Sequence, residues 1–170
     1  MTKPAFRLVQ LLCAAGVAFG CGRPEGSGPA PAGSGGGDAA HLAATLGGKA
    51  WTADFEMTAR SIKDCKVDAA TLTRPGSARL GIELWIRATG SREVPANPFY
   101  ARLVDGASNA YPAVFGGCTP ELMASVLRSG DQAEGFVTFE LPPAAQGLHL
   151  EYSPMLIGTE RPVVQFELGR

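Results

Sequence analysis

Residues 80–88 read Leu80-Gly81-Ile82-Glu83-Leu84-Trp85-Ile86-Arg87-Ala88, and their apolar side chains recur at every second position. A period of two is typical of a β-strand that buries one face and exposes the other. Glu83, Trp85 and Arg87 share the polar parity of this strand. The pattern therefore predicts that Trp85 points away from the core, although its side chain is large and mostly apolar.

The same alternation recurs along the rest of the chain. The segments that show it are residues 51–59, 99–104, 110–115, 136–141, 148–152 and 164–168. Asp105-Gly106 lies between two of these segments and is a turn signal. Short strands separated by Gly and Pro turns predict an all-β fold, namely an Ig-like antiparallel β-sandwich of about seven or eight strands.

One segment departs from the alternation and predicts a short helix. Thr119 suits the N-cap position, and Pro120 suits the first helical position. Leu122 and Val126 are four residues apart, and Gly130 supplies a stop signal. We therefore expect a short helix or 3₁₀ segment after Thr119, of about two turns at most.

Length, charge and composition bound the organisation of the chain. Its 170 residues allow one ordinary domain, and its net charge of −1 argues against a basic nucleic-acid binder. Apart from Arg23, Glu25 and Asp38, every residue from 22 to 40 is Gly, Pro, Ser or Ala. Such a segment buries too little apolar surface to offset its ordering entropy. We expect a flexible, disordered linker over residues 21–44, with a reach of about 25 Å, and the sandwich over residues 45–170.

The N-terminal residues have the pattern of a secretory signal. Lys3 and Arg7 precede an apolar run over residues 8–19, and small residues lead into Cys21. The run is too short to span a bilayer, which needs roughly 20 apolar residues. The pattern indicates export out of the cytoplasm.

The sequence Ala18-Phe19-Gly20-Cys21 resembles the bacterial lipoprotein box, in which a small residue precedes an invariant Cys. The resemblance implies a lipoprotein signal peptide over residues 1–20 and acyl chains, palmitate among them, on Cys21. Two or more chains hold a protein firmly at a membrane. Because residue 22 is Gly rather than Asp, the sorting rule of such lipoproteins implies the outer membrane where a cell has two membranes. The alternative is ordinary secretion with a free Cys21.

Two of the four cysteines remain for the domain. Cys13 leaves with the signal peptide and Cys21 is the acylation site, so an exported protein is expected to pair Cys65 with Cys118. The bond closes the loop of residues 65–118. For a loop of that length the chain-entropy model gives about 4 kcal/mol of stabilisation. A redox or metal role is the alternative, but no C-x-x-C motif supports it.

Several segments together resemble a known family. They are Gly48-Lys49-Ala50-Trp51, the strand Leu80–Gly90, the hairpin Pro98-Phe99-Tyr100-Ala101-Arg102-Leu103-Val104-Asp105-Gly106 reaching Tyr111, Leu127-Arg128-Ser129-Gly130-Asp131, Gly135-Phe136-Val137-Thr138-Phe139-Glu140-Leu141-Pro142 and Leu148–Tyr152. On these residues the chain resembles the Ig-like family of bacterial lipoproteins of unknown function. That family is related in fold to the mycobacterial immunoprotective extracellular antigen. The resemblance implies the Ig-like fold over roughly residues 47–168.

The sequence offers no catalytic or metal centre, and it calls for no cofactor. A nucleophile needs a base within reach, usually His. His149 is the one His inside the expected domain, and it shares the polar face of its strand with Glu151, which predicts a surface pair. Asp64, Asp68 and the cysteines do not have the spacing of a calcium or zinc site. Carboxylates that are distant in sequence remain the one alternative for acid–base chemistry.

The most suggestive feature for binding is apolar. Trp85 and Phe136 both fall on strand faces that are expected to point outward. On neighbouring strands of one sheet they form an exposed aromatic patch, and such patches often mark partner contacts. The alternative is that a loop over residues 61–75 covers them.

These observations predict a lipid-anchored, extracytoplasmic protein of the cell envelope that displays a non-catalytic Ig-like module. Its expected partners are the membrane, through the lipid anchor, and an envelope protein, but not nucleic acid. The alternative is a small-ligand or glycan-binding module that uses the loop Arg92–Pro98 and the turn at Gly116–Gly117. Sandwich folds host many functions, so this choice depends on the site and not on the fold.

Overall fold

The structure is a computed structural model that describes residues 40–156 and 161–170. In these ranges the chain forms eleven strands and two 3₁₀ helices, Ala69–Thr71 and Pro98–Tyr100. The strands are β1 (Ala43–Thr45), β2 (Lys49–Trp51), β3 (Phe55–Cys65), β4 (Ala78–Ala88), β5 (Val94–Ala96), β6 (Ala101–Val104), β7 (Ala110–Val114), β8 (Ser125–Leu127), β9 (Gln132–Leu141), β10 (His149–Tyr152) and β11 (Val164–Glu167). The all-β prediction is confirmed.

Nine strands follow one hydrogen-bonded order, β1-β11-β10-β6-β7-β9-β4-β3-β2, and β5 pairs with β8 separately. The order divides into two layers. The long strands β3, β4 and β9 form the first layer together with β2, and β1, β11, β10 and β6 form the second. Pairing is antiparallel except between β1 and β11, which run parallel.

Strand β7 belongs to both layers. Its first residues pair with β6, as far as Pro112, and Ala113 and Val114 pair with β9. Proline has no N–H for a second ladder bond, so a change of partner beside Pro112 costs the sheet little. At the other side of the molecule an isolated bridge joins His41 to Trp51 of β2. The two layers are therefore linked at both sides, which gives a sandwich with a barrel-like closure.

One hydrophobic core lies between the layers. Its fully buried large side chains come from both of them: Phe55, Met57, Ile82, Leu84, Ile86 and Phe139 from the first, and Leu103, Leu150, Tyr152 and Phe166 from the second. The even-numbered apolar residues of β4 face this core, as their period predicts. Trp85 has the opposite parity and lies on the outer face of the first layer.

The predicted strand over residues 51–59 is interrupted by a turn. The Thr52 hydroxyl accepts hydrogen bonds from the backbone N–H groups of Asp54 and Phe55, both at 3.1 Å. This side-chain turn replaces ladder bonds and separates β2 from β3. A similar local bond makes β6 begin at Ala101 and not at Phe99. Asn97 Oδ1 accepts a hydrogen bond from Phe99 N at 2.9 Å and caps the second 3₁₀ helix, which precedes the strand.

The helix predicted after Thr119 is wrong. Phe136 N donates to Pro120 O at 2.8 Å, and Leu122 N donates to Phe136 O at 3.0 Å. Further along, Ser125–Leu127 forms β8 and pairs with β5. Leu122 is buried whereas Val126 is 59% exposed, so the two residues do not form one apolar helix face. Extended pairing satisfies the backbone groups that a short isolated helix would satisfy poorly.

The regular structure begins earlier than the sequence indicates. Strand β1 starts at Ala43, inside residues 21–44 that were assigned to the linker, because Leu42 and Ala44 pack against the core and Gln165 N donates to Leu42 O. The strand number also exceeds the prediction, since β1, β5 and β8 have only three residues each and show no alternation that can be read. The signal peptide over residues 1–20, Cys21 and the linker up to residue 39 lie outside the described residues.

Candidate functional site

The outer face of the first layer holds both aromatic residues singled out from the sequence. Strands β4 and β9 are neighbours, and their register pairs Trp85 with Glu134 and Glu83 with Phe136. Trp85 and Phe136 are therefore diagonal neighbours on one face of the sheet, within reach of long side chains. Both are half-buried.

Cationic side chains lie over these two rings. Arg60 Cζ is 5.4 Å and Lys49 Nζ is 5.9 Å from the centre of the Trp85 ring, and Trp85 Nε1 donates to Gln132 Oε1 at 3.2 Å. Lys63 belongs to residues 61–75, the alternative covering loop, and places its Nζ 5.6 Å from the centre of the Phe136 ring. Such distances fit cation–π contacts. Residues 61–65 of that segment belong to β3 and are not a loop.

Phe136 also lines an apolar cleft that Trp85 does not reach. The cleft has a volume of about 250 Å³. Three of its lining side chains are large, apolar and exposed: Phe99 by 47%, Phe115 by 76% and Met123 by 72%. The rings of Phe99 and Phe115 meet edge to face with centres 4.6 Å apart. We call these three residues and Phe136 the aromatic cleft.

Three short elements bring the aromatic cleft together. Phe99 comes from the 3₁₀ helix Pro98–Tyr100, Phe115 follows β7, and Met123 precedes β8. Arg79 holds the backbone after β7, because its Nη1 donates to Phe115 O at 3.0 Å and to Gly116 O at 3.1 Å. Phe115 therefore stands on backbone that is fixed by hydrogen bonds.

The disulfide fastens the same segment to the sheet. Cys65 and Cys118 are joined, with their Cα atoms 4.9 Å apart, and these are the two residues that the sequence predicts to pair. The bond lies over Gly81 on the outer face of the first layer, where a Cβ on Gly81 would stand 2.7 Å from both Cβ and Sγ of Cys118. It therefore ties the loop of the cleft to β3, and it does not cross the core between the layers.

One charged residue lines the cavity, and one cation, Lys63, stands over the Phe136 ring. Glu121 is the single charged residue among those that line the cavity. Its backbone forms an isolated β-bridge with Phe136. Among the described residues no salt bridge within 4.0 Å involves Glu121. The cleft thus combines aromatic faces, a thioether and one carboxylate.

A buried carboxylate supports the loops beside this region. Glu140 accepts hydrogen bonds from Thr73 N, Arg74 N and Ser77 Oγ, and Arg79 Nε lies 3.5 Å away. These donors, led by the Thr73 amide, lower the pKa of Glu140 to about 2. Both carboxylate oxygens accept hydrogen bonds from residues 73–77, so Glu140 stabilises the loop.

The structure places the remaining candidates apart from the cleft. His149 Nε2 lies 3.5 Å from Glu151 Oε1 on the surface of the second layer, as the strand parity predicts. Within residues 40–156 and 161–170, no group of three or more His, Cys, Asp or Glu is arranged to hold a metal ion. The same residues contain no helix long and apolar enough to cross a membrane.

The loops proposed for ligand binding do not form one site. Gly116 and Gly117 line a cavity of about 420 Å³ beside Lys66 and Arg79. Arg92 lines a different one, and its guanidinium donates to Asp54 Oδ1 at 2.8 Å. Of the loop Arg92–Pro98, Asn97 and Pro98 reach the aromatic cleft.

The sequence missed Phe99, Phe115 and Met123 as site residues. Phe99 and Phe115 lie at the ends of predicted strands, and Met123 lies in the predicted helix, so alternation assigned none of them to an exposed surface. Their proximity results from the 3₁₀ helix and from the pairing of residues 120–122 with β9. Asn97-Pro98 is a local signal for the 3₁₀ helix, because Asn97 caps it and Pro98 suits its first position, whereas the pairing of residues 120–122 has none.

Comparison with known proteins agrees with the architecture. The model of a domain of unknown function, DUF4352, matches residues 45–163. No curated protein sequence matches the chain significantly. A solved structure of ycdA from Bacillus subtilis, a candidate lipoprotein, aligns with a TM-score of 0.59 at 16% identity over 71% of this chain. The chain spans 38% of the ycdA structure.

Two smaller proteins align over almost their whole length. The yjhA protein of Bacillus subtilis has a TM-score of 0.56 at 19% identity, covering 73% of this chain and 98% of its own. The secreted protein MPT63 of Mycobacterium tuberculosis has a TM-score of 0.58 at 12% identity, covering 76% of this chain and 98% of its own. At these identities the likeness shows the shared fold.

Fold and site together define a β-sandwich with an exposed aromatic cleft on one outer face. The chain belongs to the DUF4352 family, whose model covers more than half of its residues. This confirms the resemblance to an Ig-like family of unknown function that is related to a mycobacterial secreted protein.

Proposed function

We propose that the protein is a lipid-anchored module of the cell envelope that binds a protein partner through the aromatic cleft, without catalysing a reaction. Acyl chains on Cys21 anchor it, and residues 21–39 connect the anchor to the sandwich. The signal pattern before Cys21 supports the anchor, and the fold shared with a candidate lipoprotein and a secreted protein agrees with an extracytoplasmic location.

The observation that carries the proposal is the exposure of three large apolar side chains around one cavity. Soluble proteins expose single apolar residues commonly, but clustered ones mark contacts. Phe99, Phe115 and Met123 are all between 47% and 76% exposed. Hydrogen bonds hold the backbone at Phe99 and Phe115. Aromatic anchors of this kind dominate the binding energy of interfaces.

The cleft also indicates the chemistry of the partner. Its volume of about 250 Å³ is below the range of small-molecule pockets, roughly 300–1,000 Å³, but accommodates one or two side chains. Glu121 is the single charged residue of its lining, and the aromatic faces attract cations. We therefore expect a segment that inserts an apolar side chain next to a Lys or Arg.

The test is covalent crosslinking in intact cells with the full-length protein, followed by affinity measurement with the purified partner. Phe115→Ala together with Met123→Ala should reduce the affinity by at least about tenfold, since each removes an exposed apolar contact. Leu46→Ala is the matched control, because Leu46 is 37% exposed and lies outside the cleft. Equal binding by the double variant and the control would contradict the proposal.

Single substitutions locate the partner surface within the outer face. Phe136→Ala changes a residue that lines the cleft, whereas Trp85→Ala changes its diagonal neighbour outside it. We expect a clear loss of binding for Phe136→Ala and a smaller effect for Trp85→Ala. A loss confined to Trp85→Ala would move the contact to the cationic side of the face.

Small-ligand or glycan binding is the alternative function. It predicts no crosslinked partner and a ligand-dependent rise in the melting temperature. The separation of the two candidate loops makes it the weaker candidate, because Gly116–Gly117 and Arg92 line different cavities. A thermal-shift screen of envelope metabolites distinguishes the two functions.

A further inference from the structure

A second apolar surface lies at one end of the sandwich. Val126 is 59% exposed, Met155 is 49% exposed and Val163 is 40% exposed. Val126 and Met155 line an open cavity of about 620 Å³ together with Pro95 and Tyr100. None of these residues lines the aromatic cleft. We call Val126, Met155 and Val163 the apolar end.

The described chain begins at this same end. Leu42 O accepts a hydrogen bond from Gln165 N at 2.7 Å, two residues after Val163. Val164, which follows Val163, pairs with Tyr152. Met155 lies three residues after Tyr152 in the sequence. Strand β1 therefore starts beside the apolar end, and everything N-terminal to it is attached there.

The covalent chain limits how far this end can be from Cys21. Nineteen residues, 22–40, lie between Cys21 and His41. A Gly-rich segment of that length has a root-mean-square reach of about 25 Å. An anchor at Cys21 thus keeps the apolar end close to the bilayer, where a weak contact is favoured by effective concentrations of about millimolar.

The charges around the apolar end suit lipid headgroups. Arg128 is 81% exposed at the side chain, with Glu93 3.3 Å from its Nε. Arg161 places Nη2 3.1 Å from Met155 Sδ, so a guanidinium stands directly beside an exposed apolar side chain. Arginine binds phosphate groups in two-pronged geometry. Arg161 stands beside the apolar Met155, whereas Arg128 shares its charge with Glu93.

We propose that the apolar end docks on the surface of the bilayer that holds the lipid anchor. The inference rests on the acylation of Cys21 in the proposed function. Val126, Met155 and Val163 enter the interface between headgroups and acyl chains, and Arg128 and Arg161 contact lipid phosphates. Docking fixes the orientation of the sandwich on the membrane and leaves the aromatic cleft to a protein partner.

The test is oxidative footprinting of the acylated full chain in vesicles of phosphatidylethanolamine and phosphatidylglycerol. Met155 belongs to the apolar end and Met123 to the aromatic cleft, so the two methionines provide a reporter and a control within one molecule. Compared with the Cys21→Ser protein in solution, we expect the oxidation of Met155 to fall several-fold in vesicles and that of Met123 to change less. Val126→Asp should restore the oxidation of Met155.

Each other outcome overturns the inference. An unchanged oxidation rate of Met155 in an acylated chain excludes docking and leaves the anchor of the proposed function intact. If the oxidation of both methionines fell equally, the vesicle would shield the whole domain from the oxidant and the domain would have no fixed orientation on the membrane. The mass of the N-terminal peptide, measured in the same sample, reports acylation. A chain without acyl groups removes the anchor and with it the basis for docking.

Discussion

Asp105 and Glu140 are carboxylates that replace backbone pairing in two turns. Asp105 accepts hydrogen bonds from the N–H groups of Ala107 and Asn109, from the Asn109 side chain and from the hydroxyl of Tyr111. These bonds, led by the Asn109 side chain, lower the pKa of Asp105 to about 2. The Asp-Gly turn between β6 and β7 is therefore fixed by an ionised carboxylate.

Both carboxylates make stability depend on acid pH. Their pKa values are about 2 in the folded protein, below the ordinary 3.8 of Asp and 4.5 of Glu. Their contribution is complete above the ordinary values and is lost as the pH falls towards 2. We expect the melting temperature to drop steeply below about pH 4.5, and circular dichroism melts between about pH 6 and pH 2.5 measure it.

Neutral variants identify the groups responsible. Asp105→Asn and Glu140→Gln should lower the melting temperature by several degrees near neutral pH and flatten its decline in acid. Glu167→Gln, at an exposed position of β11, is the control and should leave both unchanged. If the melting temperature of both variants still fell as steeply below about pH 4.5, other groups would be responsible for the pH dependence.

Single residues show where sequence reasoning succeeds. The outward position of Trp85 follows from parity alone, because neighbours on a strand alternate between two faces. The pairing of Cys65 with Cys118 follows by elimination from the signal pattern that is predicted before Cys21. The exposure of Phe115 and Met123 has no such rule, since it depends on how distant segments meet.

At the scale of elements, residues 119–127 show how pairing overrides local propensity. Their caps and apolar spacing favour a helix, yet the backbone pairs with Phe136 of β9 and with β5. Helix signals add little free energy over so few residues, whereas each edge position of a sheet offers hydrogen bonds and burial. Long strands with clear alternation were predictable, and three-residue strands were not.

Gly135 permits this pairing. A Cβ there would stand 2.5 Å from Leu122 N and 2.6 Å from Glu121 C. Gly135→Ala must displace the segment, and we expect a loss of about 1–3 kcal/mol in the free energy of unfolding, measured with urea. It should also weaken partner binding, since Leu122 and Met123 line the cleft.

Gly106→Ala is the matched control for this substitution. Its Cβ would meet Gln146 O at 3.4 Å, which is an ordinary contact. We expect its free energy of unfolding to stay close to that of the unaltered protein. If Gly135→Ala were equally harmless, the segment would not depend on close approach to β9.

At the scale of the molecule, the two layers share one core and one strand. Apolar side chains of both layers form a single cluster, and β7 is hydrogen-bonded to each layer in turn. The sequence predicted the sandwich because burial on one face is repeated in every long strand. It did not predict the side closures, since those depend on Pro112 and on the His41–Trp51 bridge.

A shared core predicts that the layers unfold together. Trp51 and Trp85 both belong to the first layer, so tryptophan fluorescence follows that layer, whereas far-UV circular dichroism follows all strands. We expect the urea midpoints of the two signals to coincide, as in two-state unfolding. Separate midpoints would show that the layers are independent units.

The parallel pairing of β1 with β11 determines how the domain responds to a pulling force. Ala43 lies beside Gln165 and Thr45 beside Glu167, so the first and last strands run side by side in the same direction. Tension applied between the two termini then loads their hydrogen bonds in shear, all at once. The geometry resists extension more strongly than one in which the bonds open one after another.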